Sequence, residues 1–170
     1  MFYFDKINLH KKIRPVNRLD LNTSGLIIFA KNEYVQETLI KQMNNKTFKK
    51  EYLAVVCGKL SFKKGTINKP IARKENSIIE RCISNNGKQA ITHFEVLKEY
   101  DTFSLIKCVL ETGRTHQIRV HLSTIGYPIV GDGVYSNGKN EWGIKGQCLH
   151  AKSLKFKHPI TGKEMFIEAP

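Results

Sequence analysis

The stretch RPVNRLDLNTSG, residues 14–25, sets one carboxylate, Asp20, behind Arg18 and ahead of a turn written as Asn22, Thr23, Ser24 and Gly25. A carboxylate there can brace the turn through nearby backbone N–H groups. It can equally be a nucleophile or general base mounted at the edge of a rigid strand. Arg14 and Arg18 lie near enough in sequence to bias it toward its ionised form. The densest cluster of polar chemistry is TGRTHQIRVH, with Arg114, His116, Arg119 and His121. On a helix, residues three or four apart share a face, so His116 pairs with Arg119, and Arg114 is close to in phase with His121. With Ile118 and Leu122 on the buried side, that face is either a phosphate or carboxylate site or an ordinary basic surface. Tyr52 heads the strand KKEYLAVV beside Lys49 and Lys50. It is either a half-buried aromatic whose hydroxyl reaches the surface or a platform on which a nucleobase stacks.

Other chemistries find little footing. His116 and His121 are five apart rather than the four of a helical zinc pair, and His93, His150 and His158 are scattered, so no metal is expected. No glycine-rich phosphate or dinucleotide loop occurs. Cys57, Cys82, Cys108 and Cys148 form no Cys-x-x-Cys pair; Cys57 and Cys108 lie in apolar runs and read as buried, reduced thiols of a cytoplasmic protein. A phosphodiesterase would have to use His116, His121 and Asp132 for acid-base work.

The elements that must position these groups are short. GLIIFAK reads as a buried strand opened by Gly25. NEYVQETLIKQMNNK follows as a helix with Asn32 as its cap and Tyr34, Val35, Leu39 and Met43 on one face. KKEYLAVVCGKL, closed by Gly58, is a strand, as are GTINKPIA, SIIERCIS, QAITHFEVLKEY and FSLIKCVLE, separated by turn residues. THQIRVHLSTIG switches to helical spacing, with Ile118, Leu122 and Ile125 on one stripe and Gly126 just past the end. YPIVGDGVYSNGKNEWGIKGQ is a long glycine-rich loop, of the kind that is functional or mobile. CLHAKSLKFKHPITGKEMFIEAP reads as a hairpin turning at HPITGKE. The fold class is therefore α+β, with a mixed, mainly antiparallel sheet and a few flanking helices.

The 170 residues suit one domain, 1–170, with a core of ordinary size. With 28 Lys and Arg against 15 Asp and Glu, the net charge is +13 and the pI about 9.7. Such an excess favours a polyanionic partner, most often nucleic acid. No apolar run approaches the length that spans a bilayer, and no signal-peptide pattern opens the chain, so no membrane partner is expected.

Taken together, NRLDLNTSGLIIFAKN, KKEYLAVVCG, TGRTHQIRVHLSTIGYPIVGD and LHAKSLKFKHPITGKEMFIEAP resemble the RluA-type family of RNA pseudouridine synthases, in the family's order and over nearly the whole chain. The resemblance implies isomerisation of uridine to pseudouridine in structured RNA, ribosomal RNA first and transfer RNA next, with no cofactor. It implies that Asp20 is the essential carboxylate, that Arg119 salt-bridges it, and that Tyr52 packs on the target base. Arg18 aligns with an arginine that fills the gap left by the flipped nucleotide, and Asn17 stands where His is more common. Lys50, Arg114, His116 and His121 would then contact the RNA. The carboxylate acts either as a nucleophile or by taking a ribose proton to give a glycal. Family members usually carry further strands, with an NKP-like segment, and often an S4-type domain before the aspartate. Here 19 residues precede Asp20, so the chain reads as an N-terminally shortened catalytic domain, with lower stability or self-association through a bare sheet edge as the expected consequence. The rival reading is an RNA-binding remnant that kept the basic groove and lost turnover.

Overall fold

The computed structural model describes residues 6–8, 12, 14–136 and 143–170. Among the described residues its frame is a seven-stranded, mainly antiparallel sheet flanked by two helices, the α+β architecture expected. Three two-residue strands open the described chain: β1 (Arg14–Pro15), β2 (Ser24–Gly25) and β3 (Phe29–Ala30). Helix α1 (Glu33–Asn44) follows, then β4 (Lys49–Cys57), β5 (Lys64–Asn68), β6 (Ile71–Arg73), β7 (Arg81–Ile83), β8 (Ile91–Glu99) and β9 (Phe103–Leu110). Helix α2 (Gln117–Thr124) precedes the closing hairpin of β10 (Leu149–Lys157) and β11 (Glu164–Glu168). The strand order is β11-β10-β4-β9-β8-β5, and β2 pairs in parallel with β10. Among the described residues no helix is long and apolar enough to cross a membrane.

The strand period explains which face is covered. Along β4 the residues Lys50, Tyr52, Ala54 and Val56 are buried and their neighbours half-buried or exposed; β9 repeats the pattern with Ser104, Ile106, Cys108 and Leu110. Those rows meet Ile118 and Leu122 of α2 and Ile129 of the following loop to form the main core. A second core lies under α1, where Leu39 packs with Val16, Ala30, Phe48, Leu154 and Phe156; the Phe48 and Phe156 rings stack at 5.3 Å. Asn32 caps α1 by accepting the Val35 N–H at 2.9 Å. Val35, Leu39 and Met43 face that core, whereas Tyr34 is 62% exposed and lies off the stripe.

Five local expectations need correction, the first being GTINKPIA, which is not one strand but two, β5 and β6, in different sheets. GLIIFAK is not one buried strand: Gly25 pairs with Ala151 and Phe29 with Pro15, so the segment changes partner at Leu26–Ile28. Ile27 and Phe29 are accordingly 40% and 50% exposed. In SIIERCIS only Arg81–Ile83 pairs, and Ile78 and Ile79 stand exposed in the turn before it. Cys57 is half-buried, while Cys108 is fully buried. The glycine-rich loop is tightly packed through Val130 and Asp132; residues 137–142 of it lie outside the described residues.

Candidate active site

Asp20 sits where the chain leaves β1 and bends back toward β2. The bend is fixed at both ends. The Asn17 side chain donates to Leu26 O at 3.1 Å and accepts the Ile28 N–H at 2.8 Å, bridging the break between β2 and β3. Thr23 N–H closes a turn on Asp20 O at 3.0 Å, and Asn22 takes a left-handed φ of 66°. The Gln147 amide donates to Leu21 O and, at 3.0 Å, to Thr23 Oγ1. Gly25 has φ 103°, and a Cβ there would fall 2.3 Å from Ala151 O, so only glycine lets the loop dock on β10.

Asp20 and Tyr52 line one cleft of about 680 Å³, together with Arg18, Lys50, Arg114 and Gln117. That volume lies in the range of ligand clefts. Tyr52 is 7% exposed; burial, with Asp20 nearby, pushes its phenol up to about 12, so the ring stays neutral. The sequence left Tyr52 open between a surface aromatic and a platform, and it belongs to the cleft wall. Lys50 is 9% exposed. Burial, then the Arg114 charge, lowers its amine from the ordinary value. Gly113 leaves room for it, since a Cβ there would lie 3.0 Å from Lys50 Nζ. Arg18 and Arg114 are exposed at the rim, and Arg114 Nε donates to Gln89 O at 2.9 Å.

Helix α2 does not present an exposed basic face. Gln117 through Leu122 are all buried, because the helix is packed between the sheet and the glycine-rich loop. His121 is 0% exposed. Its Nε2 must donate to Lys69 O at 2.9 Å, so Nδ1 accepts from Thr92 Oγ1 at 2.9 Å. Burial lowers its pKa, and the ring is neutral. The expected RNA contact at His121 is therefore replaced by an internal brace, which Gln117 extends by donating to Thr92 Oγ1 and Ile91 O. His116 takes the N-cap position with φ 57° and bonds Tyr135 Oη through Nδ1 at 2.7 Å; burial is the main cause that lowers its pKa. Both ring nitrogens of His121 are spent on Thr92 and Lys69 O, which leaves no pair of free histidines for the phosphodiesterase arrangement.

Arg119 is 5% exposed and reaches two carboxylates. Its Nη1 lies 3.8 Å from Asp20 Oδ2, while Nε lies 2.7 Å from Asp132 Oδ2. Asp132 was read from the sequence only as part of the phosphodiesterase alternative. Burial alone would raise its carboxyl, but hydrogen bonds from Arg119, Val134 and Tyr135 hold it below the ordinary range. Arg14, expected to bias Asp20, instead pairs with Glu33.

A carboxylate and a neutral aromatic ring thus share one basic-rimmed cleft on an α+β sheet. Residues 2–124 match the family model described as RNA pseudouridylate synthase, and the chain belongs to that family. It is 45% identical over 168 residues to the uncharacterized RNA pseudouridine synthase YlyB of Bacillus subtilis, covering 98% of this chain and 55% of that protein. It is 41% identical over 162 residues to ribosomal large subunit pseudouridine synthase D of Nitrosomonas europaea, covering 91% and 47%. Among solved structures, human RNA pseudouridylate synthase domain containing 1 superposes with a TM-score of 0.80 at 28% identity, covering 94% of this chain and 69% of that one. The chain thus spans about half the length of the curated relatives it matches.

Proposed function

We propose that the protein isomerises uridine to pseudouridine in structured RNA, ribosomal RNA first and transfer RNA next, in the cytoplasm and without a cofactor. The observation that carries the reading is the placement of Asp20 and Tyr52 on the wall of one cleft, with Arg119 Nη1 3.8 Å behind the carboxylate. A uridine stacked in a helix must first be turned out of it. Arg18, Lys50, Arg114 and His116 then hold the displaced strand through its phosphates, Arg18 filling the space the base leaves. The base packs on the Tyr52 ring. Asp20 either attacks the ribose carbon C1′, displacing N1 of uracil, or takes a ribose proton to leave a glycal. In both routes the C1′–N1 bond breaks and the uracil turns within the cleft. C5 then bonds to C1′, which releases the Asp20 carboxylate in the first route, while in the second Asp20 returns its proton to the ribose. The C5 proton is lost to solvent as N1 takes one up.

Ribosomal RNA ranks first because the Nitrosomonas relative carries that substrate in its name. Any self-association would use the edge strand β11, where Phe166 is 64% exposed. Release of tritium from RNA labelled at uridine C5 tests the reaction. Wild-type protein is expected to release it and Asp20→Asn to fall below detection, a loss of at least about 1,000-fold for a lost covalent or proton-transfer group. Wild-type protein that retards RNA in a gel without releasing tritium would overturn the reading in favour of a binding module.

A further inference from the structure

The guanidinium of Arg119 is shared unequally between two acids. Nε and Nη2 donate to Asp132 Oδ2 and Oδ1 at 2.7 and 2.8 Å, a bidentate pair. Asp132, fully buried, is itself held by the backbone N–H groups of Val134 at 3.0 Å and Tyr135 at 3.1 Å. The Tyr135 ring covers the guanidinium 5.0 Å from Cζ. Only Nη1 faces Asp20, and 3.8 Å is too long for a hydrogen bond. Asp132 does not line the cleft, whereas Asp20 does. The cation is thus bound tightly to the acid outside the cleft and loosely to the acid within it.

We propose that Asp132, with the Tyr135 ring, is a positioning residue that holds Arg119 at a set distance from Asp20. Released from Asp132, the fork of Arg119 would close on Asp20 through both carboxylate oxygens. A carboxylate paired in that way keeps a lone pair on each oxygen but is fixed in the plane of the guanidinium, with its charge neutralised, and is a weaker nucleophile and base toward the ribose. The holder therefore lets one cation orient Asp20 without clamping it. This inference rests on the reaction proposed above.

The test is Asp132→Asn, which keeps size and can still accept from Val134 and Tyr135 but turns an N–H toward Arg119. Tritium release should show kcat lowered by about 100-fold, as an ångström of misplacement costs. The RNA Kd should stay within about twofold, because Asp132 lies outside the cleft. In ¹⁵N-labelled protein the Nε–H resonance of Arg119 should shift and exchange faster with water. A folded Asp132→Asn protein with wild-type kcat, or with an unmoved Arg119 resonance, overturns the proposal. Should that variant not fold, Tyr135 decides: Tyr135→Leu removes the plate over Arg119 and should lower kcat about 10-fold. Tyr135→Phe keeps the ring, giving up only the hydroxyl's bonds with His116 Nδ1 and the Arg81 N–H, and should recover most of that loss. Equal effects from Leu and Phe overturn the proposal. Wild-type protein that releases no tritium sinks the reaction instead, and the Arg119 resonance still reports whether Asp132 holds the guanidinium.

Discussion

The two acids that face Arg119 live in opposite surroundings. Asp132 is 0% exposed and accepts from Arg119 and from two backbone N–H groups, so its charge is wholly engaged. The Asp20 side chain is 15% exposed, sits on a turn, and among the described residues its carboxylate accepts no hydrogen bond. The first charge is part of the fold; the second is only carried by it. The difference teaches how a buried arginine can stand beside a second acid without saturating it: its own desolvation is offset elsewhere, so that the cleft acid is left unsatisfied.

The comparison breaks most sharply at Arg119. Arg119→Met strands the buried Asp132 charge, and urea unfolding should show a loss of about 3–5 kcal/mol. A loss under 1 kcal/mol would mean that the two acids are less different than their burial implies. Next in size is Asn17→Ala, which removes both bridges across the Leu26–Ile28 break and should cost about 1–3 kcal/mol in the same experiment. It should also lower tritium release, because the loop that carries Asp20 loses its base.

Smaller still is the effect of Lys50, whose buried amine is the cationic counterpart of an unsatisfied acid. Its pKa in the folded chain lies below the ordinary 10.5, chiefly through burial. Carrying the proton therefore weakens the fold at neutral pH, and that penalty shrinks as pH rises through the folded-state value and is gone above 10.5. Lys50→Met should accordingly raise Tm slightly at pH 7, with the gain fading as the buffer approaches pH 10, while RNA binding weakens. The smallest change is expected for Asp20→Asn, within about 0.5 kcal/mol of wild type in urea. That null result beside a large loss at Arg119 is what sharpens the contrast.

Much of the frame could be read from local pattern. Asn32 followed by an apolar stripe gave the capped start of α1, and the apolar run of KKEYLAVVCGKL closed by Gly58 gave β4, because both signals lie within a few residues. Where partners are distant, reading failed. Nothing near Leu26 shows that the backbone changes strands there, since the bridging side chain is Asn17 and the docking carbonyl belongs to Ala151. Helical spacing put His116 with Arg119, and Arg114 in phase with His121, on a basic face, but spacing cannot tell that α2 is packed on nearly every side. Arg119 and Asp132 are separated by 13 residues and a turn, so the residue that holds the arginine carried no local mark beyond being an acid among glycines.

The parallel pairing of β2 with β10 has a consequence in time. The Ser24–His150 hydrogen bond joins residues 126 apart in the chain, and the neighbouring Gly25–Ala151 pair anchors the Asp20 loop. During synthesis from the N-terminus, Asp20 emerges early and its anchor late. A nascent chain that has reached Arg119 already holds Asp20, Tyr52 and the arginine, yet it lacks the strand against which the loop is set. So long-range a contact delays assembly of the cleft until β10 has left the ribosome and paired, and the basic chain passes its early life beside ribosomal RNA with its carboxylate not yet in place.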